Sequence, residues 1–281
     1  MKNFILTTES GSDPSEEMVE AFGLHVLPMH VALGRESRDD GAFPVKDVFG
    51  YYDKTAEMPH TSAVNPAEYI DFFTKLRAEN PSAEIVHIAY TSLASCTYQN
   101  AAIALRELGD AHIHLIDSLN VSGGISLILW KAHSLLALSP DVDSAVAQIK
   151  DFIAQVKVSF LPNTLEYLKA GGRVSNAAYL GGTLLKLKPL IRIKGGRLVA
   201  TKMYRGTMNR VWYKYLDDFI DNCGPDRKMF VLFYVEGFSM ELLARIKQYV
   251  LDKGFREVMI THTGSVIACH GGPGALGLAA C

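Results

Sequence analysis

The feature that most constrains the fold is an alternation of short β-branched runs with longer amphipathic stretches through the first half of the chain. Residues 4–8, 85–90 and 112–116 form such runs, and each leads into a polar turn and then a helical pattern. This order predicts βαβ units around a largely parallel sheet, and therefore an α/β fold. Because the carboxyl ends of parallel strands meet at one sheet edge, the hydroxyls in these turns are expected to gather where ligands usually bind.

One helix start is well marked in the sequence. Asn65 supplies an N-cap, Pro66 stands at the first helical position and Glu68 at the third. This combination predicts a helix from Pro66 to about residue 78. Thr61 and Ser62 stand just before it.

The second half of the chain changes character near Phe160. Helical periodicity stops at Gly171 and Gly172, and a second apolar helix is expected over residues 177–187. The later elements are a hairpin with strands 190–193 and 198–204, strands 229–235 and 258–262 around a helix at 240–251, and a last strand at 266–270 before a glycine-rich tail. We expect two α/β lobes, residues 1–160 and 161–281, which share an interface because no flexible linker separates them.

The composition is that of an ordinary folded protein. A chain of 281 residues with 48% hydrophobic content can bury a large core, and its net charge of −2 gives no strong field toward nucleic acid or anionic lipid. The apolar start is too short for a signal sequence or a membrane span. We therefore expect a cytoplasmic protein without stable membrane insertion.

Neither a metal site nor a bound cofactor is indicated. His112 and His114 share a strand face but have no third ligand nearby, and residues 272–277 fit the dinucleotide fingerprint GxGxxG without room for a following βαβ unit. The HExxH, P-loop and GxSxG motifs are absent from the sequence. The cysteines lie far apart with no CxxC pair, which argues for reduced thiols rather than disulfides or zinc: Cys96, Cys223, Cys269 and Cys281.

One segment carries charge of a single sign. Between Glu166 and Asp217 there are eleven basic residues and no acidic one. Such a run predicts a directional field and an acidic or phosphorylated partner on one side of the molecule. A solvated helix–hairpin face is an equally good interpretation, although such faces normally mix both signs.

Several separated segments together resemble the DegV family. They are TESGSD at 8–13, Thr61 with Ser62, TSLASCTYQNA at 91–101, IDS at 116–118, LEYLKAGGRVS at 165–175 and HGGPGALG at 270–277. Their order and spacing span nearly the whole chain. The resemblance implies an α/β fold of the DegV type, with a mainly parallel N-terminal sheet, a mixed C-terminal sheet and a lipid tunnel between them.

The resemblance also implies a function. A long-chain fatty acid would lie in the tunnel and present its carboxylate to a partner, an ATP-dependent fatty acid kinase, whose acyl-phosphate product feeds phospholipid synthesis. On this reading the chain is a lipid carrier and not an enzyme, with the fatty acid as its ligand. The length and saturation of the acyl chain do not follow from the sequence.

The positions that match the family's motifs imply which residues of this chain form the binding site. The resemblance makes Thr61, Ser62, Ser92, Ser95 and Thr97 the hydroxyls around the headgroup, with Thr61 and Ser95 foremost. Serine and threonine at strand-to-helix turns more often serve only as N-caps, so this assignment depends on the family match.

Further matches lie in the second half. His270 resembles the family histidine beside the headgroup, and Gly272 and Gly274 follow it in the same motif. Arg205, and less strongly Arg173, resemble arginines at the tunnel mouth that contact an acyl phosphate or the partner.

The sequence departs from the family pattern in two places. Glu9 stands where the family usually has aspartate. Cys96 stands where a glycine normally separates serine from threonine, which puts a side chain into a turn expected to favour glycine.

Two other functions compete with lipid carriage. Ser95 or Cys96 with His270 could form an acyl hydrolase or transferase, since catalytic groups assemble in space, but no activating signature surrounds them. The basic segment could bind nucleic acid, but it lacks interleaved aromatic residues and a helix-turn-helix pattern, so we expect no nucleic-acid partner.

Overall fold

The computed structural model describes residues 4–176, 187–224 and 226–281. The strands within these ranges are β1 (Phe4–Glu9), β2 (His25–Leu27), β3 (His30–Leu33), β4 (Glu36–Asp39), β5 (His60–Ser62), β6 (Glu84–Ala89), β7 (Ile113–Asp117), β8 (Lys157–Leu161), β9 (Leu187–Lys194), β10 (Arg197–Arg205), β11 (Met229–Tyr234), β12 (Glu257–His262) and β13 (Leu276–Ala280).

The helices in the same ranges divide between the two halves of the chain. They are α1 (Glu16–Phe22), α2 (Lys46–Thr55), α3 (Pro66–Glu79), α4 (Thr97–Leu108), α5 (Gly123–Leu138), α6 (Val142–Ile153), α7 (Glu166–Gly171), α8 (Met208–Ile220), α9 (Met240–Asp252) and α10 (Ser265–Gly271).

The first half is built on the predicted parallel sheet. Its order is β2-β1-β6-β7, and all three strand pairs are parallel. Leu6 pairs with Val86, and Ile88 with Ile116, so the apolar runs seen in the sequence form adjacent, buried strands. A small antiparallel sheet, β4-β3-β5, was not expected. It places Thr61 and Ser62 on a strand instead of in a loop.

Helix α3 begins as its sequence predicts. The Asn65 side chain accepts the Glu68 N–H at 3.1 Å, and the Glu68 carboxylate accepts the Asn65 N–H at 2.7 Å. This reciprocal capping box satisfies two backbone donors at the helix start, with Pro66 at the first helical position.

The second half is built on the predicted mixed sheet. Its order is β10-β9-β8-β13-β11-β12, with β11 and β12 parallel and the other pairs antiparallel. Helix α7 ends at Gly172, which has φ +65°, as the glycine pair predicts. The helix expected over 177–187 lies outside the described residues, except that Leu187 begins β9.

Two expectations for the last residues were wrong. Residues 266–270 belong to helix α10, and the glycine-rich tail contains β13, a central strand. The sequence misleads because β13, with the sequence LGLAA, contains no β-branched or aromatic residue. Gly277 is required there, since a Cβ at this position would lie 2.0 Å from the ring of Phe233.

The two sheets share one hydrophobic core. Helix α5 lies between them and contacts β1 on one side and β8, β11 and β13 on the other. Strand β8 spans the expected boundary between residues 160 and 161 and pairs with β9 and β13, so the lobe limits stay a prediction. Across the described ranges, no helix has the length and apolar character that crossing a bilayer requires.

Candidate functional site

A cavity of about 550 Å³ opens at the carboxyl edge of the parallel sheet, where β5 and the β6–α4 turn face α7, β10 and α10. We call it the hydroxyl cavity. Six of the predicted site residues line it: Thr61, Ser62, Ser92, Ser95, Arg173 and His270. Four other polar residues of its wall were not among the predicted site residues: Tyr90, Gln99, Ser175 and Arg197.

A narrow apolar slot adjoins the hydroxyl cavity, and the two share Tyr90, Leu198 and His270. The rest of the slot is largely hydrocarbon and runs between the two sheets, lined by Val121, Phe160, Phe233, Val235, Ile267 and Leu276 among others. Its volume is about 40 Å³, far below the roughly 300 Å³ at which ligand pockets begin. The slot is therefore nearly filled by its own side chains.

Phe233 fits into the slot wall because two glycines make room for it. A Cβ at Gly123 would lie 2.4 Å from the Phe233 ring, and one at Gly277 would lie 2.0 Å from it. These residues come from α5 and β13, which pack on either side of the ring. No sequence motif marks this arrangement, because the partners are brought together only by the fold.

Thr61 and His270 meet at the junction of slot and cavity. Thr61 Oγ1 lies 2.9 Å from His270 Nε2, although the residues are 209 positions apart. Burial, helped by the positive charge of Arg173 and by His60, lowers the pKa of His270 to about 4, so its ring is neutral at neutral pH. With the ring proton on Nε2, His270 donates to Thr61 and leaves the Thr61 O–H free to donate to a ligand.

The other ring nitrogen of His270 is enclosed. Nδ1 is buried and has no hydrogen-bond partner among the described residues. It packs against Gly171 of α7, where a Cβ would lie 2.3 Å from Nδ1. Gly171 is thus required for the close approach of α7 and α10, a role distinct from ending the helix.

The serine-rich turn before α4 supplies the second group of hydroxyls. Ser95 Oγ lies 2.5 Å from Thr97 Oγ1 and accepts the Thr97 N–H at 3.2 Å. Thr97 is buried and lies behind Ser95, outside the described lining of the cavity. Cys96 has φ −80°, a region open to any residue, so the expectation that this turn favours glycine was wrong.

Glu9 holds the backbone of Tyr90 at the same junction. Its buried carboxylate accepts the Tyr90 N–H at 2.8 Å, contacts His87 Nε2 at 2.8 Å and accepts the Tyr69 hydroxyl. Burial opposes ionisation, but the His87 interaction and the hydrogen bonds outweigh it and lower the pKa of Glu9. The longer side chain at this departure from the family pattern is thus fully partnered.

Two carboxylates of the first half fix the helix that carries His270. Asp13 accepts the Gly264 N–H at 2.7 Å, and Asp40 accepts the Ser265 N–H at 2.6 Å, so both satisfy backbone donors at the start of α10. Burial raises the pKa of both carboxyls, that of Asp13 well above its usual value. Neither role could be predicted from the sequence, because the partners lie more than 220 residues away.

The remaining predicted residues lie elsewhere. Arg205 is exposed at the far end of β10 and is not in the described lining of the hydroxyl cavity, whereas Arg197, at the start of that strand, is. Gly272 and Gly274 have φ of +73° and +69° and form the turn between α10 and β13. Neither glycine appears in the described lining of the cavity or slot. Their roles in binding stay predictions.

The basic segment does not form one face. Arg173 and Arg197 line the hydroxyl cavity, Lys188 is buried against Asn163, and Lys202 forms an ion pair with Asp218 at 2.5 Å. These four charges therefore lie in three separate environments, and a partner contact on one side of the molecule stays a prediction.

Among the described contacts, neither Ser95 nor Cys96 is hydrogen-bonded to His270, the pair that the hydrolase alternative requires. His270 bonds to Thr61 and Ser95 bonds to Thr97, and a histidine of pKa about 4 is a weak base at neutral pH.

His112 and His114, the two histidines that share a strand face, both contact Glu84, at 2.9 and 2.8 Å. No group of three or more histidine, cysteine or acidic side chains suited to a metal ion occurs in the part of the chain that the structure describes.

Comparison with known proteins agrees with this architecture. The family described as DegV, uncharacterised protein, matches residues 3–281. A DegV domain-containing protein of Clostridium acetobutylicum is 28% identical over 279 residues, which cover 99% of this chain and 98% of the relative.

Solved structures show the same fold. A structure described as fatty acid binding of a DegV family protein from Thermus thermophilus is 27% identical, with a TM-score of 0.88 over 99% of this chain and 98% of that one. A stearic-acid-binding protein from Eubacterium ventriosum shares the fold at 23% identity and a TM-score of 0.79, over 98% of this chain and 97% of that one.

Proposed function

The chain belongs to the DegV family, and from that premise we propose that it binds one long-chain fatty acid, with the tail in the apolar slot and the carboxylate in the hydroxyl cavity. The observation that carries the proposal is the junction itself. A hydrocarbon-lined slot meets a cavity of neutral hydroxyls at Tyr90, Leu198 and His270. The relative from Thermus thermophilus, which has the same fold, is described as fatty-acid-binding.

The tail supplies most of the affinity. Burying about fourteen methylenes at roughly 0.8 kcal/mol each gives about 11 kcal/mol before the costs of association. Since the slot is nearly filled by its own side chains, Phe233, Leu198 and their neighbours must move apart as the tail enters. The affinity is lower by whatever that rearrangement costs.

The headgroup needs paired donors rather than a strong charge. A carboxylate in a partly apolar site is costly unless it is hydrogen-bonded. Thr61 can donate to it while accepting from His270, and Ser95, backed by Thr97, is a second donor on the facing turn. Arg173 and Arg197 add positive charge at the wall.

The finer part of the proposal concerns what happens to the carboxylate. An exposed headgroup beside Arg173 and Arg197 is suited to phosphorylation by a separate ATP-dependent fatty acid kinase, because guanidinium groups bind phosphate oxygens bidentately. On this view the chain has no catalytic step of its own and acts in the cytoplasm. Arg205, exposed outside the cavity, is then a contact for the kinase.

The proposal is tested by extracting the purified protein with organic solvent and identifying acyl chains by mass spectrometry, then measuring oleate and palmitate binding to the stripped protein by calorimetry. A co-purified acyl chain and saturable binding of one molecule per chain are expected. Absence of both would overturn fatty acid binding.

The kinase step has its own test. A bacterial fatty acid kinase is mixed with the oleate-loaded protein, ATP and magnesium, and the acyl phosphate is trapped with hydroxylamine. Product that requires both proteins supports presentation, whereas product without this chain contradicts it. Ester hydrolysis by this chain alone, lost in Ser95→Ala, would favour the hydrolase alternative.

A further inference from the structure

A second cavity, of about 430 Å³, lies apart from the proposed fatty acid site. It is formed where the end of α6, the start of β8, the turn of the β9–β10 hairpin and the end of α8 meet. None of its described lining residues is shared with the hydroxyl cavity or the apolar slot. We call it the basic cavity.

The wall of this cavity is charged with one sign. Lys150, Lys157, Arg192 and Lys194 line it, and none of the described lining residues is acidic. None of the four forms a salt bridge with a described residue. In a chain with 30 acidic and 28 basic residues, four unpaired cations around one concave surface are unusual, because solvated faces normally mix both signs.

The four cations come from separate parts of the fold. Lys150 lies in the last turn of α6, where a cation is favoured by the helix dipole. That explanation does not extend to Lys157 at the start of β8, or to Arg192 and Lys194 at the end of β9. Their convergence is a property of the tertiary structure, and it brings like charges together at an electrostatic cost that an anion would relieve.

The rest of the wall resembles a small-molecule site. Ile153, Val158 and Phe219 give it an apolar floor, while Asn120 and Asn222 offer hydrogen-bonding groups. Its volume of about 430 Å³ falls in the range of about 300–1,000 Å³ typical of ligand pockets. Concavity, mixed lining and a half-buried arginine favour a compact ligand over a flat protein surface.

From these observations we propose that the basic cavity binds a small phosphorylated metabolite, with Lys157, Arg192 and Lys194 around its phosphate groups. Arginine matches phosphate bidentately and lysine adds mobile positive charge. The apolar floor accommodates the uncharged part of the ligand. This proposal does not depend on fatty acid binding.

Calorimetry with inorganic pyrophosphate and with ADP at physiological ionic strength tests the proposal. We expect saturable binding of at least one of the two probes, weakened by added salt. In the double variant Lys157→Gln/Arg192→Gln, affinity should fall by about tenfold or more, where tenfold corresponds to about 1.4 kcal/mol. The control is Arg210→Gln/Lys214→Gln, which removes two exposed charges from α8 and should change affinity less than twofold.

A second measurement uses the wild-type protein. Pyrophosphate or ADP should protect Lys157 and Lys194 from acetylation, measured by mass spectrometry, but should not protect Lys214. Oleate binding should be unchanged in both double variants, which separates this proposal from the fatty acid site.

Three results would overturn the proposal: no binding of either probe, equal weakening in both double variants, or no selective protection of lysines. Binding of a poly-glutamate peptide without binding of either phosphate probe would also overturn it, because the cavity would then be a contact for an acidic protein segment.

Discussion

The hydroxyl cavity and the apolar slot share three residues yet are built in opposite ways. The cavity is open and lined by hydroxyls from strand β5 and from the turn before α4, and each of its two foremost hydroxyls, Thr61 and Ser95, is hydrogen-bonded to a neighbouring side chain. The slot is nearly filled, and its shape depends on packing around Phe233. The difference indicates two separate roles: the slot determines how tightly a ligand binds, and the cavity determines where its headgroup lies.

The largest expected effect comes from closing the slot. Ile267→Trp adds volume to its wall and should exclude about four to six methylenes, which weakens oleate binding by about 3–5 kcal/mol. Calorimetry with oleate measures the change. Ile267→Val keeps the slot open and serves as the control, and thermal unfolding checks that the overpacked variant still folds. Wild-type affinity in Ile267→Trp would show that the tail lies elsewhere.

His270, which belongs to both regions, should make stability depend on pH. Its folded pKa is about 4 against an ordinary value of 6.5, so between these values the unfolded chain binds more protons. The free energy of unfolding should therefore fall as pH drops through this window, by at most about 3 kcal/mol. Urea unfolding of the wild type and of His270→Gln at several pH values measures this.

The comparison between wild type and variant isolates the histidine from other groups. The His270→Gln protein should lose less stability across the same window, since glutamine does not titrate. Parallel pH profiles for the two proteins would mean that the imidazole is not held neutral by its surroundings.

Hydroxyl removal should have an intermediate effect. Thr61→Ala and Ser95→Ala should each weaken oleate binding by about 1–3 kcal/mol, the cost of leaving a buried acceptor without a donor. Thr61→Ser retains the donor and should bind nearly as tightly as the wild type. If both alanine variants keep full affinity and full kinase turnover, the headgroup is held by other residues.

The smallest effect is expected at the arginines, and it should appear only with the kinase present. Arg173→Gln and Arg205→Gln should each lower acyl-phosphate formation by about tenfold, equivalent to about 1.4 kcal/mol, with oleate affinity changed less than twofold. Arg197→Gln sharpens the comparison, because Arg197 lines the cavity and Arg205 does not. If acyl-phosphate formation falls in Arg197→Gln but not in Arg205→Gln, the partner contact lies at the start of β10 rather than at its end.

Local sequence signals predicted much of the fold. Three strands of the parallel sheet, β1, β6 and β7, were confirmed together with helix α3 and the β9–β10 hairpin, since hydrophobic periodicity, an N-cap with proline and a glycine turn act over a few residues; β2 was missed. Strand β13 and helix α10 were missed or misassigned for the opposite reason. The strand lacks β-branched and aromatic residues, and the helix start is completed by Asp13 and Asp40 from the other end of the chain.

The site divides in the same way. Resemblance to the family located Thr61, Ser62, Ser92, Ser95, Arg173 and His270, and the structure brings them into one cavity. The resemblance also implied a tunnel between the two sheets, but it could not name the residues of the slot wall, because they come from several separate segments without a shared motif. Nor could it show that Arg197 lines the cavity and Arg205 does not, since this depends on where the tertiary structure places the two ends of β10.

The position of β13 has a consequence for the order of folding. Strands β8, β9 and β10 are joined to β11 and β12 only through β13, among the described strands. During synthesis, β8 and β11 therefore each have an unpaired edge until residues 276–280 leave the ribosome and form β13. Closure of the sheet, and with it the slot wall at Leu276 and Gly277, is then a late and concerted event that protects edges otherwise exposed to misassembly.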